Sequence, residues 1–213
     1  DDRWRDAPRV FKHNEQSLRV VDCIEYNGKG LNLTWEVRDG ILCHTEEEFP
    51  STLEGEIVRI ADRIAYINHD IDDAVRGGII STGDLPPHPV EVLGRSHGKR
   101  VNNMVMDMII SSMDEDKIGL SEPFQKAADE LRDFLFQRVY TDSVAKAEEP
   151  KAKIVVKSLF YHYLERPGEL PEEFRVENER ELPIKVCDYV AGMTDRYAIR
   201  KYEEFSIPKS WMV

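Results

Sequence analysis

The stretch Gly55–Asp73, GEIVRIADRIAYINHDIDD, constrains this chain more than any other part of it. At 100° per residue it reads as one long helix with two unlike faces. Ile57, Ile60, Ile64, Ile67 and Ile71 fall on one side; Asp62, Tyr66, His69, Asp70 and Asp73 fall on the other. The isoleucine stripe demands a packed partner. The opposite stripe has two physical readings: an acidic surface with a tyrosine and a histidine able to hold a metal ion and a polyol, or the solvated side of an amphipathic helix.

The rest of the chain is also helical in period. Leu18, Val21 and Ile24 mark a helix over 11–26 that stops at Asn27-Gly28. Leu33, Val37 and Ile41 mark a shorter one over 33–44. Ser51 followed by Glu54 predicts a capping box at the head of the long helix, which ends near Gly77-Gly78. Pro86, Pro87 and Pro89 predict a loop over 81–89. Further helices are expected over 90–113, with a break near 94–98, then from Pro123 to about 140, over 151–164, and from Pro183 through 205. The acidic stretch 169–181 reads as a linker. Only 117–120 and 174–176 hint at extended structure. The expected fold class is all-α.

A length of 213 residues allows one domain, or one with an added lobe. A net charge of −12 argues against binding to a nucleic-acid backbone, though a few local arginines can still hold a phosphorylated small molecule. No apolar run approaches the roughly 20 residues that a membrane span needs. The cysteines Cys23, Cys43 and Cys187 are odd in number and far apart, which fits reduced thiols and a cytoplasmic setting. The opening DDRWRDAPRVF, with Asp1 in place of a methionine, suggests part of a longer protein.

Four segments, in order, resemble the HD-domain deoxynucleoside triphosphate triphosphohydrolases, the dGTPase-like proteins. These are FKHNEQSLRVV from Phe11, GLNLTWEVRDGIL from Gly30, the long helix, and KVCDYVAGMTDRYAIRKYE from Lys185. The resemblance implies hydrolysis of a dNTP to deoxynucleoside and triphosphate at a divalent metal (Mg, Mn or another transition metal). That metal would polarise the α-phosphate and activate a water. Asp62 matches the family's last metal ligand, and Arg63 a phosphate contact. Tyr66 and Asp70 match residues that hold the deoxyribose, and His13 a histidine at the phosphates that can give a proton. Arg100, with Arg95 and Lys99 beside it, matches a basic position that would neutralise triphosphate oxygens. Asp62, Tyr66 and Asp70 stand at i, i+4 and i+8, a ladder about 12 Å long, suited to run from a phosphate to a sugar.

The resemblance places the family's first His and its His-Asp dyad upstream of Phe11. The literal pair His69-Asp70 does not replace them: His69 is seven residues from Asp62, about 10 Å along the axis, too far to share an ion with it. The chain is therefore expected to carry one metal ligand of a larger set and to be nearly inactive alone. The implied architecture is an HD-type catalytic part over 1–115 and a helical C-terminal region over 116–213, with N-terminal helices lacking. The implied partners are a dNTP substrate, a dNTP effector and further copies of the chain. Two alternatives stand beside this reading: a non-catalytic nucleotide-binding or oligomerisation scaffold, and another HD phosphohydrolase acting on nucleotides.

Beyond the family match, Asp72 and Asp73 read as surface acids, His44 as a charge partner at a helix C-terminus, and His162 as a surface residue. Trp35, Phe134, Phe136, Phe160 and Tyr161 read as packing residues. The motif GMTDRYA, with Asp195, Arg196 and Tyr197, is open between a base pocket, an effector site and a helix interface.

Overall fold

A computed structural model of the chain describes residues 11–45, 48–141, 144–176, 178 and 180–209. The opening segment 1–10 and two residues of the acidic linker lie outside the described residues. Every regular element among the described residues is helical, so the chain is all-α. The longer α-helices, in order, are α1 (His13–Arg19), α2 (Trp35–Leu42), α3 (Leu53–Arg76), α4 (Pro87–Leu93), α5 (His97–Ser112), α6 (Glu122–Leu135), α7 (Val144–Glu165), α8 (Leu182–Ala191) and α9 (Asp195–Ser206). Wide π turns extend α1 over Val20–Ile24 and α6 over Phe136–Thr141. The hints of strand at 117–120 and 174–176 give no strand.

Two compact units divide the chain, residues 1–146 and 147–213. Residues 116–146, grouped with the C-terminal region by the sequence reading, pack within the first unit. Its centre is α3, which contacts α2, α5 and α6. Ile64, Ile67, Ile71 and Ala74 are buried against Leu93, Met104, Ala128, Leu131 and Leu135. The isoleucine stripe is thus the core face from Ile64 onward, while Ile57 at its head stays 41% exposed.

The N-terminus of α3 differs from the expected capping box. Thr52 is the N-cap, its Oγ1 accepting from the Gly55 amide at 3.1 Å. Ser51 is held elsewhere: its amide donates to Asp39 Oδ2 at 2.7 Å, which ties α2 to the start of α3. The two helices meet at glycines, where a Cβ on Gly40 would lie 3.5 Å from Gly55 Cα. Pro87 and Pro89 lie inside α4 instead of a loop, because Pro87 opens the helix where no amide is needed.

In the second unit, Leu159, Tyr163, Leu170 and Val186 form the core. His162 is not a surface residue: its side chain is 7% exposed and stacks on Phe205 with 3.9 Å between ring centroids. Arg166 can only donate, so its 3.0 Å contact makes His162 Nδ1 the acceptor. Nε2 then carries the proton and donates to Glu169 at 2.7 Å. In the GMTDRYA motif, Thr194 caps α9 by accepting from the Tyr197 amide at 3.4 Å. Asp195 adds a negative charge to the first turn of that helix. The Tyr197 hydroxyl lies 3.0 Å from that of Tyr189 on α8, so the motif fastens two helices together.

Candidate functional site

A cavity of about 520 Å³ opens in the first unit, within the size range of small-molecule sites. The elements around it each contribute for a local reason. His13 is the first residue of α1, and His44 and Thr45 follow the end of α2. Arg59, Asp62, Arg63 and Tyr66 come from α3, about two to four turns in, on the side away from its buried isoleucines. Arg132 from α6 and Phe136 and Tyr140 from its π turn complete the lining. Three guanidinium groups and two imidazoles therefore meet one carboxylate, in a chain whose net charge is −12. Such a local excess of cations suits a polyanionic ligand.

Four of the six residues singled out in the sequence line this cavity together: His13, Asp62, Arg63 and Tyr66. Asp70 stands one turn beyond Tyr66 and is joined to the cavity wall by Tyr140, whose hydroxyl donates a short hydrogen bond to the Asp70 carboxylate. Burial and then this bond to Asp70 push the Tyr140 phenol well above the ordinary tyrosine range.

Arg100 lies elsewhere. It is 2% exposed on α5, and its Nε donates to Asn68 Oδ1 at 2.8 Å. One Nη donates to the Arg95 carbonyl at 3.1 Å, and the other lies 3.8 Å from Asp72 Oδ1. Asn68, itself fully buried, donates to the Ile64 carbonyl at 2.8 Å. Burial lowers the Arg100 pKa, and Asp72 opposes the shift. Asp72 is accordingly not a plain surface acid, since His97 Nδ1 also lies 3.0 Å from its Oδ2. His69 pairs with the His97 ring at 5.2 Å and does not line the cavity.

Six cavity residues were not picked out as site residues from the sequence: His44, Thr45, Arg59, Arg132, Phe136 and Tyr140. Arg132, Phe136 and Tyr140 repeat the i, i+4, i+8 spacing of Asp62, Tyr66 and Asp70, so a second ladder faces the first. That spacing was visible, but nothing local distinguishes it from a packing stripe. Phe136, read as a packing residue, is 60% exposed. Arg59 is one turn before Arg63; its Nε donates to the Thr45 carbonyl at 3.2 Å and its guanidinium lies 4.0 Å over the Phe49 ring. His44, read as a helix-end charge partner, has its ring 5.2 Å from that of His13 and nearly perpendicular to it, at 68°.

Among the described residues, no group of three or more His, Cys, Asp or Glu side chains is placed to hold a metal ion. Asp62 is the cavity's one carboxylate, so the described donors do not by themselves make a complete metal site.

Residues 118–204 match a family model described as a phosphohydrolase-associated domain, a span that covers parts of both compact units. The chain is 50% identical over 202 residues to a deoxyguanosinetriphosphate triphosphohydrolase-like protein of Caldanaerobacter subterraneus, covering 94% of this chain and 60% of that protein. It is 42% identical over 214 residues to the protein of the same name from Clostridium tetani, covering 95% and 61%. The namesake from Desulfatibacillum aliphaticivorans is 41% identical over 218 residues, covering 93% and 62%. The chain thus spans about three fifths of the length of these relatives. Over the part that it spans, the chain belongs to the deoxyguanosinetriphosphate triphosphohydrolase-like family of HD-type phosphohydrolases.

Proposed function

We propose that this chain forms part of an enzyme that hydrolyses a dNTP to the deoxynucleoside and inorganic triphosphate. The observation that carries the reading is the single cavity in which Arg59, Arg63 and Arg132 surround Asp62, Tyr66 and two histidines. Three guanidiniums offer paired donors to phosphate oxygens without depending on pH. The Tyr66 ring suits the carbon face of a deoxyribose, and the Asp70–Tyr140 pair one turn away offers an acceptor and a hydroxyl to its 3′ oxygen. His13 supplies a proton to the leaving oxygen.

A divalent cation belongs to this reading, with Asp62 as the contribution of this chain. The described residues do not complete its coordination, so no step is derived through it. Arg63 and the neighbouring arginines hold the triphosphate; Arg100, committed to Asn68 and the Arg95 carbonyl, is left to the scaffold. A cytoplasmic homo-oligomer with a dNTP effector site is the setting that the family resemblance suggests.

The test is product analysis on the complete enzyme that contains this chain, with each dNTP and with Mg²⁺ or Mn²⁺ added. The expected product is tripolyphosphate, lost in Asp62→Ala and reduced in Arg63→Ala. Binding of inorganic tripolyphosphate should weaken in Arg59→Ala, Arg63→Ala and Arg132→Ala alike. Absence of tripolyphosphate from every dNTP, together with undiminished binding in those variants, overturns the reading.

A further inference from the structure

We propose that His44 is the proton acceptor of this cavity and His13 its proton donor. The inference rests on the triphosphohydrolase reading and assigns a chemical role to a side chain which the sequence left as a helix-end charge.

The observation is a hydrogen bond. His44 Nδ1 lies 2.6 Å from the Ile41 carbonyl oxygen, three residues back in α2. A carbonyl oxygen can only accept, so Nδ1 carries the proton and donates it. The neutral ring then has its lone pair on Nε2, at the opposite edge. A backbone carbonyl behind an imidazole fixes both tautomer and orientation, and leaves the far nitrogen as the acceptor. Among the described residues, no hydrogen bond engages Nε2, although the ring lines the cavity.

Its surroundings hold it there. Arg59 Nε grips the carbonyl of Thr45, the next residue, so the end of α2 is fastened to α3. Asp39, which also sits on α2, anchors the same segment through the Ser51 amide. The His13 ring stands edge-to-face with the His44 ring, with 5.2 Å between centroids. In an in-line displacement at phosphorus, the attacking and leaving oxygens lie on opposite sides of the phosphorus, so a proton acceptor and a proton donor must serve them from two separate positions. Two neighbouring imidazoles in one cavity offer two such positions. Arg59, Asp62, Arg63 and Tyr66 share the cavity with the pair from α3, and Arg132 and Tyr140 from α6 and its π turn.

The step balances. The oxygen of a water attacks the α-phosphorus, a P–O bond forms, and the departing water proton bonds to His44 Nε2. The bond from phosphorus to the sugar 5′ oxygen breaks, and that oxygen takes the proton from His13. His44 is left protonated and His13 neutral; exchange with solvent restores both.

The test is turnover against pH for the protein and its His44→Asn, His44→Gln and His13→Gln variants. Asn keeps a donor near the Nδ1 position and deletes Nε2, which protects the fold; circular dichroism checks that it does. Loss of turnover by about 10²–10⁴-fold is expected in both His44 variants, the range for a positioned acid or base. The acidic limb of the pH profile should vanish with it, while tripolyphosphate affinity stays within about threefold. His13→Gln should remove the basic limb. Long-range ¹H–¹⁵N NMR should show His44 as the Nδ1-protonated neutral tautomer. An active protein whose His44→Asn variant keeps both rate and acidic limb overturns this inference alone, as does the Nε2-protonated tautomer. A complete enzyme containing this chain, loaded with Mg²⁺ or Mn²⁺, that turns over no dNTP overturns the hydrolase reading and this one with it.

Discussion

Arg100 offers the sharpest test of how the first unit is held together, because replacing it separates a phosphate contact from a buried support. Its guanidinium is 3% exposed and reaches Asn68 Oδ1, the Arg95 carbonyl and, at longer range, Asp72. In Asn68→Leu the cation stays buried and loses its best neutral acceptor. Breaking a buried polar pair from one side costs about 3–5 kcal/mol when the remaining group is a charge. Asp72 at 3.8 Å and the Arg95 carbonyl remain, which places the expected loss near the bottom of that range, about 3 kcal/mol. In Arg100→Met the stem stays packed and only Asn68 Oδ1 is orphaned, at about 1–3 kcal/mol. Replacing both partners removes the unsatisfied groups together, so the double variant should lose less than the sum of the singles, with a coupling of about 1–3 kcal/mol. Urea unfolding followed by circular dichroism reads this directly. With a slope of about 2–3 kcal/mol per molar, Asn68→Leu lowers the midpoint by about 1–1.5 M. Additive single effects would show that the pair carries no joint energy. A stable Arg100→Met variant with weakened tripolyphosphate binding would place Arg100 at the ligand instead, and refute the structural assignment.

Other consequences are testable with the same material. Gly55→Ala places a Cβ 2.6 Å from Pro50 Cβ, where a proline ring cannot swing aside; a loss of about 1–3 kcal/mol is expected, and an unchanged melting temperature would contradict the close approach. Ile67→Ala empties a fully buried position of α3 and should cost about 2–5 kcal/mol in chemical unfolding; a loss under 1 kcal/mol would show a loosely packed core. The Cys43 thiol is pushed up to about 11, by burial first and then by Asp39 and Glu48, so it should react with a thiol reagent near pH 8 far more slowly than exposed Cys23. Equal rates at the two sites would contradict the burial of Cys43.

The phenols extend the same reasoning to alkaline pH. Tyr140, Tyr163 and Tyr189 all have their pKa raised, burial being the largest cause in each. A phenol held protonated in the fold gives stability that is intact below the unfolded value near 10. It is lost as pH climbs toward the folded value, because the unfolded chain then releases the proton and gains. Unfolding should therefore become steeply easier above about pH 10. Tyr140→Phe should flatten that slope, and phenolate absorbance should show these groups ionising only as the fold opens.

What the sequence made legible was whatever has a period or a local cap. The core face of α3 follows from isoleucines three and four residues apart, and Ile64, Ile67 and Ile71 are indeed buried. Asp62 and Tyr66 emerge on the opposite side for the same reason. What stayed hidden depends on registers between helices. Ser51 and Thr52 both suit an N-cap; the choice fell to Thr52 because Asp39, twelve residues back, claims the Ser51 amide. Arg100 and Arg132 are both helix arginines flanked by unremarkable neighbours. One is turned onto Asn68 in the core and the other onto the cavity, a difference that only the packing of α5 and α6 against α3 can make.

The same holds for His44. A histidine at a helix C-terminus normally compensates the helix dipole as a cation. Here the ring spends its Nδ1 proton on the α2 carbonyl of Ile41 and meets a second imidazole from α1, so it presents a base where the sequence suggested a positive charge. The cavity therefore draws its fixed charge from arginines and leaves its two histidines for proton traffic. That division of labour predicts opposite salt responses. Triphosphate binding should weaken steeply as ionic strength rises, since it rests on arginine–phosphate attraction. The limbs of the pH profile should hardly move, since they rest on hydrogen bonds inside the cavity. If salt instead shifts the acidic limb as strongly as it weakens binding, His44 is acting as one more cation for the phosphates and not as their base.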